Sequence, residues 1–276
     1  DKDRMLSYRD EKYYDFYNVR DFQFPQMGLY NHDPIYGNTA KVSMSDDDFR
    51  SYLFTMATRG SFFWEYYYSH NMMNENKWLI NYACMRFIED NKDVLSNAVI
   101  FGKRPSENGV YGYSCFSDYE GIVSLRNSSG EEKEYTLVLN EAIGVKKTLV
   151  PVNTYIILPY TADALCGAYG YGDKVKVTLK PYETKIFHFG KSAKTLKATY
   201  LKALDSRTLK ITFNQTVNTE NLSCKENEIE KLELLADYMT AIITFRNDFD
   251  RMNTLTLCDL KDIMGNSESG EVKFDY

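Results

Sequence analysis

The sequence predicts a multidomain protein of mixed class: an α/β unit, then an antiparallel β-sandwich, then a small β-domain. Three observations carry this. Between Phe22 and Asp90, strand-like runs alternate with amphipathic helical segments, as in a parallel sheet with crossover helices. From Ala98 the hydrophobic period drops to two, with turn residues between short runs, as in an antiparallel sandwich. After the polar stretch Gly190–Lys194, a third group of alternating segments begins. At 276 residues the chain has room for two domains or three small ones. The expected boundaries are 1–95, 96–191 and 195–276.

Bulk properties narrow the partners. Hydrophobic residues make up 43% and charged residues 26%, which is ordinary globular composition. The net charge of −6 argues against nucleic acid and anionic membranes, which call for a basic footprint. No apolar run reaches the length of a membrane span, so membrane insertion is not expected. The five cysteines are widely spaced without a C-x-x-C pair. Buried free thiols are expected, and neither a metal nor a cofactor is called for. The chain starts at Asp1 without a signal peptide, the start expected of a mature or excised segment. Twenty-three tyrosines and sixteen phenylalanines suit surfaces that grip amphipathic ligands, although a β-rich core accounts for most of them.

A short helix is expected within residues 1–20, then a strand over Phe22–Tyr30. Ser45–Thr58 is the clearest helix. Ser45 and Asp48 form an S-x-x-D capping box, and Phe49, Tyr52, Leu53, Met56 and Ala57 make one apolar face. The three aspartates 46–48 are helix-terminus electrostatics rather than a metal site. Gly60 stops the helix. The aromatic run Ser61–Ser69 then suits a strand covered on both faces. A second helix spans about Asn74–Asp90, with Trp78, Leu79, Tyr82, Ala83, Met85 and Phe87 on its buried side. Sandwich strands are expected at Ala98–Phe101, Val110–Phe116, Gly121–Arg126, Glu134–Leu139, Thr148–Leu158, Lys174–Leu179 and Glu183–Phe189. In the third unit they are expected at Thr208–Phe213, Thr240–Phe245 and Thr254–Leu257, and an immunoglobulin-like sandwich is the natural guess. Asn127-Ser128-Ser129, Asn214-Gln215-Thr216 and Asn221-Leu222-Ser223 fit glycosylation sequons.

The chemistry concentrates in Phe24–Gly37, where a strand runs out into Tyr30-Asn31-His32-Asp33 before Pro34 and Gly37 break regular structure. Ligand sites of α/β barrels sit at such strand ends. The second strand offers Glu65, Ser69 and His70 at its polar outlet. Three readings stand. Asp33 and Glu65 could be a pair of catalytic carboxylates, as glycoside hydrolysis requires. Asn31, His32 and Asp33 could bind sugar hydroxyls with Tyr30 or Trp64 as a stacking wall. Alternatively, His32 and Asp33 satisfy each other and the backbone, and Trp64 is core.

Three segments resemble large multidomain secreted bacterial glycoside hydrolases. Tyr30–Gly37 followed by Ala57-Thr58-Arg59-Gly60 resembles the last strand–helix units of a (β/α)8 catalytic barrel, as in α-galactosidase-like and endo-α-N-acetylgalactosaminidase-like enzymes. Gly121–Asn127 with Leu179-Lys180-Pro181-Tyr182-Glu183 is similar to the "LRN" and "L-x-P-Y-E" strands of the sandwich behind such barrels. Asp262–Asn266 looks like the D-x-x-G-N close of attached immunoglobulin-like modules. The resemblance implies the C-terminal portion of an extracellular or cell-surface bacterial glycoside hydrolase acting on carbohydrate. It also implies that the main catalytic carboxylates lie on barrel strands outside this chain, in a missing N-terminal part of the same protein. Catalysis by this chain alone is therefore left open. The alternative is a non-catalytic carbohydrate-binding or cell-surface module, and a third reading is a purely structural one. An enzyme fragment predicts exposed apolar surface on residues 1–90.

Overall fold

The computed structural model describes residues 2–20, 24–38, 43–190, 194–249 and 254–273. Phe22, the expected start of the first strand, lies outside these residues, as do positions 191–193 of the expected linker. The chain divides into two compact units. The first comprises Asp1–Asn74, Cys84–Pro159 and Leu165–Lys191, and the second Glu75–Ala83, Tyr160–Ala164 and Ser192–Tyr276. The α/β residues and the first sandwich thus fall mostly within one unit.

In the first unit, helix α1 (Lys2–Tyr14) buries Leu6, Asp10 and Tyr13, an i, i+4, i+7 stripe with a carboxylate in its middle. The chain then continues as a π-helical turn, Asp15–Val19. Strands β1 (Tyr30–Asn31) and β2 (Ile35–Tyr36) precede helix α2 (Asp46–Ala57). The Ser45 Oγ accepts from the Asp48 N–H at 3.1 Å, so the cap forms as the sequence predicts. Asp48 also receives the Lys2 ammonium at 2.6 Å. Phe49, Tyr52, Leu53, Met56 and Ala57 are all buried. Gly60 ends the helical region at φ +69°, and a Cβ there would lie 2.4 Å from the Leu95 carbonyl oxygen, so only glycine fits.

The expected strand Ser61–Ser69 is shorter and more open than its composition suggests. It forms β3 (Phe63–Trp64) and β4 (Tyr67–Tyr68), pairing in parallel with β1 and β2. Backbone bonds from Glu65 to Asn31 and from Tyr67 to Pro34 bridge the two pairs, but Pro34 has no N–H to continue the ladder. Phe63, Tyr66 and Tyr67 are exposed, so both faces are not covered. A ribbon of two paired strands does not define a barrel. Helix α3 (Glu75–Leu95) runs past its expected end, with a non-helical backbone at Asn91. There the side-chain amide donates to the Phe87 carbonyl at 2.8 Å.

The sandwich that follows is antiparallel. Its strands are β5 (Ala98–Gly102), β6 (Val110–Phe116), β7 (Gly121–Asn127), β8 (Lys133–Val138), β9 (Val152–Leu158), β10 (Leu165–Tyr169), β11 (Lys174–Leu179) and β12 (Thr184–Phe189). Six form one sheet in the order β10-β9-β12-β7-β6-β5, and β11 pairs with β8. Val123, Leu125, Leu137, Val175, Val177, Leu179, Phe187 and Phe189 share one core. Strands β6 and β7 are buried along their whole length, because helices cover the second face. Thr58 Oγ1 donates to Ser124 Oγ at 2.7 Å and Thr55 Oγ1 to Thr184 Oγ1 at 3.1 Å. The two sandwich segments meet each other. Arg126 donates to the Tyr182 carbonyl at 3.1 Å, and the Asn127 N–H to that of Glu183 at 3.0 Å. Asn127 is fully buried, its amide bonded to the carbonyls of Glu131 and Lys180, so that sequon cannot carry a glycan.

The second unit has strands β13 (Ala198–Ala203), β14 (Thr208–Phe213), β15 (Val217–Asn218), β16 (Ser223–Cys224), β17 (Ile229–Leu234), β18 (Thr240–Phe245), β19 (Thr254–Asp262) and β20 (Ser267–Lys273). One sheet runs β13-β14-β18-β17, and β19 carries β15, β16 and β20. Leu209, Ile211, Phe213, Ile243, Phe245, Leu255 and Leu257 fill the core. At the turn Asp262–Asn266, the Asp262 carboxylate accepts from the N–H groups of Met264 (2.9 Å) and Asn266 (2.7 Å), which locks the D-x-x-G-N segment as a local Asx-type turn.

Candidate functional site

The strand-end residues fall into three groups with different environments. The first is buried. Asn31 and Asp33 are almost fully covered and belong to an ionic network centred on Arg59. The Arg59 guanidinium donates to Asp10 at 2.7 Å, and to Asn31 and Asp33 at 3.2 Å each. Asp10 also accepts from the hydroxyls of Tyr111 (2.5 Å) and Tyr113 (2.8 Å). Asp33 accepts from Tyr52 at 3.2 Å and pairs with Arg9 at 3.4 Å. Burial works against the charge on Arg59, but Asp10, Tyr113 and Asp33 together outweigh it and hold the guanidinium well above its usual range. Each carboxylate here is paired and hydrogen-bonded, the condition under which buried charges are tolerated.

The second group is exposed. Tyr30 and His32 turn outward from β1 and meet Glu65, which directly follows β3, and Tyr67. The Glu65 carboxylate accepts a short hydrogen bond from the Tyr30 hydroxyl and lies 2.9 Å from His32 Nδ1. The Tyr67 hydroxyl lies 3.0 Å from His32 Nε2, with the two rings 4.8 Å apart. The hydroxyls of Tyr30 and then Tyr67, with His32, hold the Glu65 carboxyl below its usual range. The same contact with Glu65 pushes Tyr67 up to about 12. The cluster offers an anionic acceptor, two hydroxyls and an imidazole to solvent, a set suited to hydroxyl-bearing ligands. It contains one carboxylate, because Asp33 is sequestered by Arg59.

Trp64 forms the third group. Residues alternate sides along an extended segment, so Trp64 and Tyr66 face away from Glu65 and Tyr67. The Trp64 indole N–H donates to the Ser61 carbonyl at 2.8 Å, and the ring lines a cleft of 630 Å³ with Tyr66, Met85 and Ile88. The structure therefore joins Tyr30 to His32 and Glu65, and sets Asn31, Asp33 and Trp64 elsewhere. Sequence reasoning missed Asp10, Arg59 and Tyr67. The signals were slight: a lone aspartate between Leu6 and Tyr13 on a helical stripe, and the alternation of Glu65 with Tyr67.

No protein-family model matches the sequence, and no curated protein matches it. Solved structures that overlap the chain include α-galactosidase I from Mortierella vinacea, at 12% identity over 57% of this chain and 39% of that one, TM-score 0.38. A β-L-arabinopyranosidase from Geobacillus stearothermophilus overlaps at 14% identity over 54% and 31%, TM-score 0.35. A γ-cyclodextrin glucanotransferase (γ-CGTase) from alkalophilic Bacillus clarkii overlaps at 12% over 84% and 36%, TM-score 0.37. The chain thus spans well under half the length of these enzymes. At such scores the overlaps establish neither family nor activity.

Proposed function

We propose that this chain is the C-terminal portion of a glycoside hydrolase acting on carbohydrate, incomplete for catalysis by itself. The observation that carries the reading is the exposed group Tyr30, His32, Glu65 and Tyr67, in which His32 and Glu65 directly follow the paired parallel strands β1 and β3 and Tyr30 and Tyr67 open β1 and β4; α/β sheets bind their ligands at strand C-termini. There Glu65 and His32 hold sugar hydroxyls, and Tyr30 offers an exposed ring face. Glycoside hydrolysis usually needs two flanking carboxylates. Asp33 is committed to Arg59, so the catalytic pair lies on other strands of the whole enzyme. In this reading residues 1–95 close the barrel, 96–191 brace it, and 195–276 form an immunoglobulin-like spacer outside a bacterial cell. Exposed Phe24 and Phe63 support it, as apolar surface where further strands would pack.

That the strand-end cluster holds one carboxylate, Glu65, also favours a second reading, a carbohydrate-binding module without catalysis. A glycan-array assay, with aryl-glycoside hydrolysis read in parallel, separates the two. Binding abolished in His32→Ala and Glu65→Gln, without hydrolysis, is the expected result for the isolated chain. Hydrolysis lost in Glu65→Gln would overturn the view that the catalytic pair lies elsewhere. Binding indifferent to both substitutions would remove the strand-end site.

A further inference from the structure

We propose that the cleft between the Trp64–Tyr66 segment and the C-terminal half of α3 is a second ligand site, for a neutral pyranose ring. This rests on the carbohydrate reading above and extends it to a surface outside the strand-end cluster. The cleft measures 630 Å³, within the range of small-molecule sites, ~300–1,000 Å³. Its two sides differ in chemistry. Phe62, Trp64 and Tyr66 make an aromatic wall. The helix contributes the apolar Met85 and Ile88 and the charged Glu89, Lys92 and Asp93.

A ligand that satisfies both sides needs one apolar face and one hydroxyl-bearing edge. A pyranose has both, its C–H face for the rings and its hydroxyls for the carboxylates and the ammonium. A purely apolar ligand would cover charged groups without replacing their water. An anion would meet Glu89 and Asp93. The wall is also set in advance. Trp64 is pinned through its N–H to Ser61, and Tyr66 packs 6.1 Å from Trp64 and 5.3 Å from Tyr68. Glu89 is held by Arg86 at 2.7 Å. Little rotamer freedom of the aromatic wall remains to be lost on binding. None of Tyr30, His32, Glu65 or Tyr67 lines this cleft.

The chain has two tryptophans, so Trp78→Phe leaves Trp64 as the sole tryptophan, excited selectively over the tyrosines at the red edge of the absorption band. Its fluorescence is titrated with a panel of neutral methyl pyranosides, with cyclohexanol as the hydroxyl-poor control. The expected result is a saturable change with at least one pyranoside and none with cyclohexanol. Affinity should fall about tenfold when the charged hydrogen bonds are removed in Glu89→Gln/Asp93→Asn. Both residues are exposed, so the fold survives, and Glu65→Gln should leave this binding unchanged. Absence of a saturable response, an equal response to cyclohexanol, or a response abolished by Glu65→Gln would each overturn the proposal. Pyranoside binding lost in Glu65→Gln but retained in the Glu89/Asp93 variant would defeat the cleft alone and leave the strand-end reading standing.

Discussion

Asp10 offers the sharpest test of how the first unit is held together. Its carboxylate is fully buried and takes hydrogen bonds from Arg59, Tyr111 and Tyr113. Asp10→Ala leaves a buried guanidinium short of its main counter-charge, a loss of ~3–5 kcal/mol. It also strands two tyrosine hydroxyls, at ~1–3 kcal/mol each. These terms are not additive, and Asp33 still holds one Arg59 nitrogen, so about 4–5 kcal/mol is the expected cost. At ~2–4 °C per kcal/mol for a domain of this size, the melting transition of this unit should fall by about 8–20 °C by calorimetry. The exposed pair Lys133–Glu131 is the control, and Lys133→Ala should cost under ~1 kcal/mol. The double variant Asp10→Ala/Arg59→Met should recover part of the loss, since removing both charges ends the uncompensated burial. A melting point for Asp10→Ala as close to the parent as that of Lys133→Ala would refute the network as a source of stability.

Three further outcomes follow from the same contacts. Ser45→Ala removes the cap of α2 and should cost ~1 kcal/mol in urea unfolding, with Ser45→Asp restoring it. Burial raises the thiols of Cys84 and Cys115 far above their usual range, so neither should react with a thiol reagent until the chain is unfolded. Glu11 is opposed by partial desolvation, but its bonds to Arg104 and Ser106 win and lower its carboxyl below the ordinary 4.5. A depressed folded-state value contributes stability above the unfolded value and loses it as pH falls through the folded one. The stability difference between parent and Glu11→Gln should thus be constant at neutral pH, begin to shrink near the ordinary 4.5 and vanish only below the lowered folded value; a difference that grows in acid would contradict this.

Much of the secondary structure was legible because its causes are local. The helix over Ser45–Thr58 is written in its cap and its i, i+3, i+4 face. Strands Val110–Phe116, Lys174–Leu179, Thr208–Phe213 and Thr240–Phe245 have the bounds their alternation predicts. Strand β10 went unread because Leu165-Cys166-Gly167-Ala168-Tyr169 shifts register between Leu165 and Gly167, leaving Cys166 without a partner in the ladder, which breaks the period of two. The run Ser61–Ser69 misled in the opposite direction. Its aromatic content promised a long buried strand, but its partner β1–β2 is interrupted at Pro34, so only short pairs form.

For the candidate site, the sequence by itself determined which stretch holds the polar residues: Tyr30–Asp33 and the outlet of the next strand. It did not determine which of them reach solvent. Asn31 and Asp33 turn inward because the Arg59 guanidinium, just beyond α2, lies there to bind them, its charge further balanced by Asp10 on α1. Tyr30 and His32 turn outward onto Glu65, and Trp64 turns to the opposite side. Those partners are distant in sequence, and the energy of a buried charge depends on what faces it across the fold. Alternation sorts neighbours onto two sides of a strand, but only the packed elements on each side decide which becomes core and which becomes site.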